Sequence, residues 1–146
     1  MLIDLKTQAK QGKQQTIHVD IKERLPERVS PPCSLDCNYL VKEVDNYFVL
    51  FLEVKGELVI ECQRCLKNFL YNYDNKTTVA ICNSEACAER LMSIYECIVA
   101  KDFSINLVEL ITDELHLYSP ESHPNISECD KEVSKFIHFM PLEDNK

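Results

Sequence analysis

Glycine is almost missing from this chain, which has two in all, Gly12 and Gly56. Neither G-x-G-x-x-G nor G-x-x-x-x-G-K-[ST] can be written from two glycines, so glycine-loop phosphate chemistry is excluded, and collagen-like sequence with it. The start, MLIDLKTQAKQGKQQ, lacks a charged segment followed by an apolar one, and no export signal is expected. No apolar run approaches the ~18 residues of a membrane span. A cytoplasmic location follows as the expectation, with no membrane partner. Internal repeats and low-complexity stretches are absent too.

What is present fits one soluble domain. The 146 residues are 45% hydrophobic and 27% charged, enough to bury a single core. The domain is expected to span residues 1–140, with 141–146 as a flexible tail. Eight cysteines are many. In a secreted chain they would suggest a disulfide framework; without an export signal they read as free thiols, mostly buried, with room for one metal site.

The net charge of −8 is polarised. Residues 1–28 carry six basic and four acidic side chains, a balance of +2, whereas residues 102–146 carry ten acidic and three basic, a balance of −7. Bare nucleic acid is repelled by the C-terminal third, so DNA is not an expected partner. A role in RNA biology would run through a basic protein or a local patch in the N-terminal half.

The pattern reads as an α+β domain, a curved antiparallel meander that could approach a barrel, covered by one main C-terminal helix. A short edge strand is expected from Leu2, Ile3 and Leu5, then a short helix within Lys6–Gln14 stopped near Gly12. Strands are expected over Thr16–Ile21 and Asn38–Val44, where apolar and polar residues alternate. Pro26 and Ser30-Pro31-Pro32 mark a loop. Phe48–Leu52 reads as a strand buried on both faces, Lys55-Gly56 as a hairpin turn, and Glu57–Cys62 as the returning strand. Phe69–Tyr73 and Thr77–Cys82 read as two more, Ser84–Met92 as a short helix, and Ser93–Ala100 as β-like. The clearest helix is Leu107–Tyr118: Asn106 is its cap, Glu109 stands at the capping-box position, and Leu107, Leu110, Ile111, Leu115 and Tyr118 share a face.

The sharpest chemical feature is Cys62-Gln63-Arg64-Cys65 at a strand end. Two thiols on one turn can supply half of a tetrahedral metal site, and the best second half is His123 with Cys129, in a loop closed by prolines. Cys33-x3-Cys37 and Cys82-x4-Cys87 are substitutes. A redox pair would need the motif at a helix N-terminus and would show a strongly acidic thiolate at Cys62; Leu66-Lys67-Asn68-Phe69 has no helical period. The third reading is two thiols simply packed at a strand end. His18 and His138 stand alone, and His116 is expected on the solvent side of the helix. Asp113 and Glu114 are adjacent and do not face each other. No Ser, His and Asp grouping suggests a nucleophile, and no enzyme is expected.

Three segments together resemble one family. They are Gly56-Glu57-Leu58-Val59-Ile60-Glu61-Cys62-Gln63-Arg64-Cys65-Leu66, the helix from Ile105 to Leu117, and Pro120 followed by His123 and Cys129. Over roughly residues 12–130 the chain resembles the YceD-like family of large ribosomal RNA subunit accumulation proteins, in its proteobacterial form. That resemblance implies a bacterial factor in the synthesis, processing or stability of 23S ribosomal RNA, with no catalytic activity. Its partner would be large-subunit ribosomal RNA or a ribosomal or assembly protein. Arg64 and Lys67, flanking the knuckle, are the groups expected to reach phosphate or partner. The alternative is a zinc-stabilised protein-interaction module with no ribosomal role.

Overall fold

The fold is that of a computed structural model describing residues 2–129. His138, the expected tail and the last eleven residues of the expected domain lie outside these. The class is α+β, as expected. Strand β1 (Leu2–Asp4) leads into helix α1 (Leu5–Gln11), then β2 (Gln15–Ile21), β3 (Cys33–Val44), β4 (Tyr47–Glu61) and β5 (Asn68–Cys82). Helix α2 (Glu85–Leu91), β6 (Glu96–Val99), β7 (Ser104–Asn106) and α3 (Leu107–Tyr118) follow.

Five strands form one curved sheet in the order β2-β3-β4-β5-β6, and β1 pairs with β7 in a second, two-stranded sheet. The larger sheet stays open, since β2 and β6 each have a single neighbour. Strands β2 to β5 are an antiparallel meander, but β6 runs parallel to β5. This departs from the expected all-antiparallel sheet. The reason is α2, which turns the chain between β5 and β6 as a crossover connection.

Local chemistry accounts for the elements read correctly. Asp4 caps α1 by accepting the Lys6 amide at 3.0 Å, and Gly12 ends it at φ 63°. The span of α3 is Leu107–Tyr118 as expected, with Asn106 accepting from the Glu109 amide at 3.2 Å. The capping box is only half made, because the Glu109 carboxylate pairs with Arg24 at 3.5 Å. Tyr118 is exposed, and Glu114 takes a buried place on the helix instead. β3 starts at Cys33, five residues before the expected strand, because Cys33, Leu35 and Cys37 alternate inward with polar residues between them.

The hairpin expected at Lys55-Gly56 does not exist. β4 runs straight through Gly56, which pairs with Tyr73, and the two strands expected within 69–82 are one. Pairing of β3 with β4 ends at Asp36↔Lys55, and just beyond it β4 passes over the start of β3. A Cβ on Gly56 would lie 2.6 Å from Leu35 Cδ2 and 2.7 Å from the Ser34 carbonyl. The glycine therefore serves a close backbone approach, not a turn. Phe48–Leu52 is buried on both faces only in part: Val49 on the outer face is sealed, but Phe51 on that face looks outward, with the Lys42 ammonium over its ring.

The core lies between the inner face of the sheet and α3. Leu35, Leu50, Leu58, Ile60, Ile81, Leu107, Ile111 and Leu115 are all sealed from solvent. At about 1.5–3 kcal/mol for each large aliphatic side chain, this layer is what fixes α3 on the sheet. A carboxyl group sits inside it. Glu114 is 2% exposed; Asn75 Nδ2 donates to its Oε1 at 2.9 Å, and the Thr77 hydroxyl donates to the same oxygen. Burial raises its pKa, more than the Thr77 and Asn75 hydrogen bonds lower it, and the nearby Glu96 and Asp113 add to the rise. A raised carboxyl favours the fold at low pH, and its contribution is lost as pH rises through the folded value. Glu114→Gln, which keeps an oxygen for both donors, is expected to be more stable than wild type in urea at pH 8. The difference should vanish near pH 4; a less stable variant at pH 8 would contradict this.

Candidate metal centre

The true hairpin turn joining β4 to β5 is the knuckle itself. The Leu66 amide donates to the Cys62 carbonyl at 2.8 Å and the Cys62 amide to the Lys67 carbonyl at 2.9 Å. Leu66 takes φ 63°, the left-handed conformation that a knuckle turn demands and that glycine usually supplies. Both thiols point into the fold: Cys62 is fully buried and Cys65 nearly so.

A second element is brought to this turn by one residue that the sequence reading passed over. The segment around Val29 bridges Ile60 on β4, with the Glu61 amide donating to the Arg28 carbonyl at 2.8 Å. The Arg28 side chain then reaches the end of α3. Its guanidinium donates to the Ser119 carbonyl at 2.8 Å, the Ser119 hydroxyl at 2.9 Å and the Pro120 carbonyl at 3.1 Å. The last carbonyls of a helix have no partners of their own and carry partial negative charge, so a guanidinium suits this position. Gln63 adds a clamp from the knuckle, its amide donating to the Glu121 carbonyl at 2.9 Å. Nothing in the sequence singles out Arg28: a lone base between Pro26 and Pro31 has no period.

These clamps lay residues 119–129 against the hairpin tip. Cys62, Cys65, His123 and Cys129 come together, with one ligand atom from each lying within 4.8 Å of all the others. The shorter separations are Cys62 Sγ to Cys129 Sγ at 3.7 Å, Cys65 Sγ to His123 Nδ1 at 3.7 Å, and Cys129 Sγ to His123 Nδ1 at 3.5 Å. A tetrahedral ion with metal–sulfur bonds of about 2.3 Å and metal–nitrogen bonds of about 2.05 Å has sulfur–sulfur edges of about 3.8 Å and sulfur–nitrogen edges of about 3.5 Å. The donor set therefore fits a tetrahedral metal ion, with three sulfurs and one imidazole nitrogen. His123 is held by stacking on Phe69, 4.3 Å between ring centroids. Asn125 and Glu128 cap the 3-10 turn Ile126–Glu128 that carries the chain to Cys129.

The electrostatics suit metal binding. Burial alone would raise the Cys62 thiol, but the Cys65, His123 and Arg64 amides aimed at its sulfur, with the His123 ring, outweigh burial and hold it well below the usual thiol range. Burial raises Cys129, helped by the neighbouring Cys62 and Cys65. An acidic Cys62 is what the redox reading also required. The thiol has no exposed surface for attack, however, and no helix follows the motif.

The substitute ligands are elsewhere. Cys33 and Cys37 lie in the main core, where burial pushes each up to about 11. Cys82 at the end of β5 packs against Cys87 on α2, with burial and then Cys87 pushing Cys82 up to about 12. Arg64 turns inward, donating from Nη2 to the His123 carbonyl, with its Nε buried; it braces the ligand loop. Lys67 is exposed at the tip. His18 does not stand alone: Asp36 lies 2.8 Å from Nδ1 and Asp20 lies 3.3 Å from Nε2, all on the outer sheet surface. His116, exposed as expected, bonds the Arg24 carbonyl at 2.7 Å.

No family model matches the chain, and no curated protein or solved structure gives a match. Among the described residues no helix is long and apolar enough to cross a membrane.

The four ligands should behave as a unit. Cys62→Ser, Cys65→Ser, Cys129→Ser and His123→Ala are each expected to weaken metal affinity by at least about 100-fold in competition with a chromophoric chelator. Cys33→Ala, Cys37→Ala and Cys87→Ala should leave the bound metal unchanged. Equal loss from both groups would refute the assignment.

Proposed function

We propose that this chain is a non-enzymatic binding factor whose hairpin tip is pinned by one zinc ion, and that it serves the synthesis, processing or stability of 23S ribosomal RNA in large-subunit assembly. The observation that carries the first half is the closure of the ligand set. All four tetrahedral positions are filled by protein side chains, as in structural zinc sites, whereas a catalytic zinc keeps one position for water or substrate. When bound, zinc would tie the hairpin to the loop after α3; the chain's own groups supply the thiolate at Cys62, the stacked imidazole of His123 and the clamps of Arg28 and Arg64.

What supports the ribosomal half is the resemblance of the three segments to the YceD-like family, with the cytoplasm as the compartment that such a role requires. The partner is large-subunit ribosomal RNA or a ribosomal or assembly protein. The net charge of −8 favours a basic protein over bare RNA. A zinc-stabilised interaction module with no ribosomal role is the competing reading, and it shares the metal centre.

Deleting the gene separates the two. Sucrose-gradient profiles are expected to show a deficit of large subunits with precursor 23S RNA accumulating, both restored by the wild-type chain. An unchanged profile and unchanged precursor levels would remove the ribosomal role.

A further inference from the structure

Leu66 is a costly residue for its place. It holds φ 63°, a left-handed conformation that strains an L side chain and not glycine, and it leaves 67% of its surface in solvent. Neither the turn nor the core gains from an aliphatic group there. Single exposed apolar residues are ordinary, but Leu66 has company. Val59 and Leu70 are cross-strand partners on the outer face beside the knuckle, 36% and 64% exposed. All three are exposed aliphatic side chains of the one hairpin tip, two paired across the strands and one in the turn that joins them.

The surroundings of these side chains indicate what fits them. Glu57 and Glu61 stand two residues to either side of Val59 on the same outer face of β4, opposite Asn72 and Asn68. Phosphate would meet these carboxylates at close range, so a nucleic acid backbone is disfavoured, whereas Lys and Arg side chains are favoured. One edge adds main-chain capacity. β6 pairs only with Val79–Cys82, so among the described residues β5 from Asn68 to Thr78 has a strand on one side alone. An unpaired edge next to exposed apolar side chains can take up an extended segment.

We infer that the outer surface of the hairpin tip, with Leu66 as its anchor and Val59 and Leu70 behind it, binds an extended segment of a basic protein. An apolar side chain of the partner packs on these aliphatic groups, and flanking Lys or Arg residues meet Glu57 and Glu61. Resting on the ribosomal role proposed above, the partner is a basic protein of the large subunit, and the zinc centre keeps the tip rigid enough to present Leu66.

The test uses the full zinc-loaded chain, immobilised, and two probes: the total protein extract of purified large subunits, and deproteinised 23S RNA. Wild type is expected to retain one or a few large-subunit proteins, releasing them at high salt, and not the RNA. Leu66→Gly should keep its zinc and unfold at a higher temperature than wild type, because the backbone strain is gone, yet retain about tenfold less of the same protein. The double variant Glu57→Lys, Glu61→Lys should lose binding to a similar degree with Leu66 intact. Retention of the protein by Leu66→Gly at the wild-type level would overturn the inference, as would retention of 23S RNA in place of protein. A photo-crosslinking side chain at position 66 that attaches, in the free chain, to residues 130–146 would give the tip to the chain's own end and also overturn it. Failure of wild type to retain either probe would overturn the inference as well; all these outcomes leave the ribosomal role to the gradient profile of the deletion strain.

Discussion

The arrangement depends on one contact, the docking of the loop after α3 onto the β4–β5 turn. Cys62 and Cys65 by themselves are two thiols on a strand end. They become half of a metal site because Arg28 ties the end of β4 to the end of α3 at once, through its backbone carbonyl on one side and its guanidinium on the other. That tie is charge-assisted and satisfies helix carbonyls that would otherwise lack partners, worth about 1.5–3 kcal/mol per such hydrogen bond. Beyond it, the Gln63 amide and the Arg64 guanidinium, donating to the Glu121 and His123 carbonyls, hold the following stretch on the knuckle.

A rigid tip is what such a closed centre is good for. The sheet supplies a long hairpin, Gly56 lets it cross β3 without a clash, and the core under α3 sets the angle at which the ligand loop arrives. Among the described residues, the four donors close around one point. The result is a fixed surface whose outer side carries aliphatic groups between carboxylates. Leu66, left-handed and exposed, stands at its tip.

Much of this was legible in the residues, and the failures have physical causes. Helix α3 was readable to the residue because a cap, a 3.6-residue period and a following proline agree. The ligand set was readable because soft donors at a strand end and in a proline-closed loop are rare enough to stand out. Gly56 misled because glycine marks turns and close approaches alike, and only the position of Leu35 in space tells them apart. The roles of Arg28 and Glu114 were invisible: both depend on contacts across 37 or more positions of sequence, and no local pattern foretells them. Arg64 was read as an outward donor, yet the knuckle turns it toward the His123 carbonyl.

X-ray absorption at the zinc edge, on the purified full-length chain, tests the central claim most directly. A shell of three sulfurs at about 2.3 Å and one nitrogen at about 2.05 Å is predicted. A shell of light atoms only, or protein that purifies with no metal and takes none up, would contradict the account.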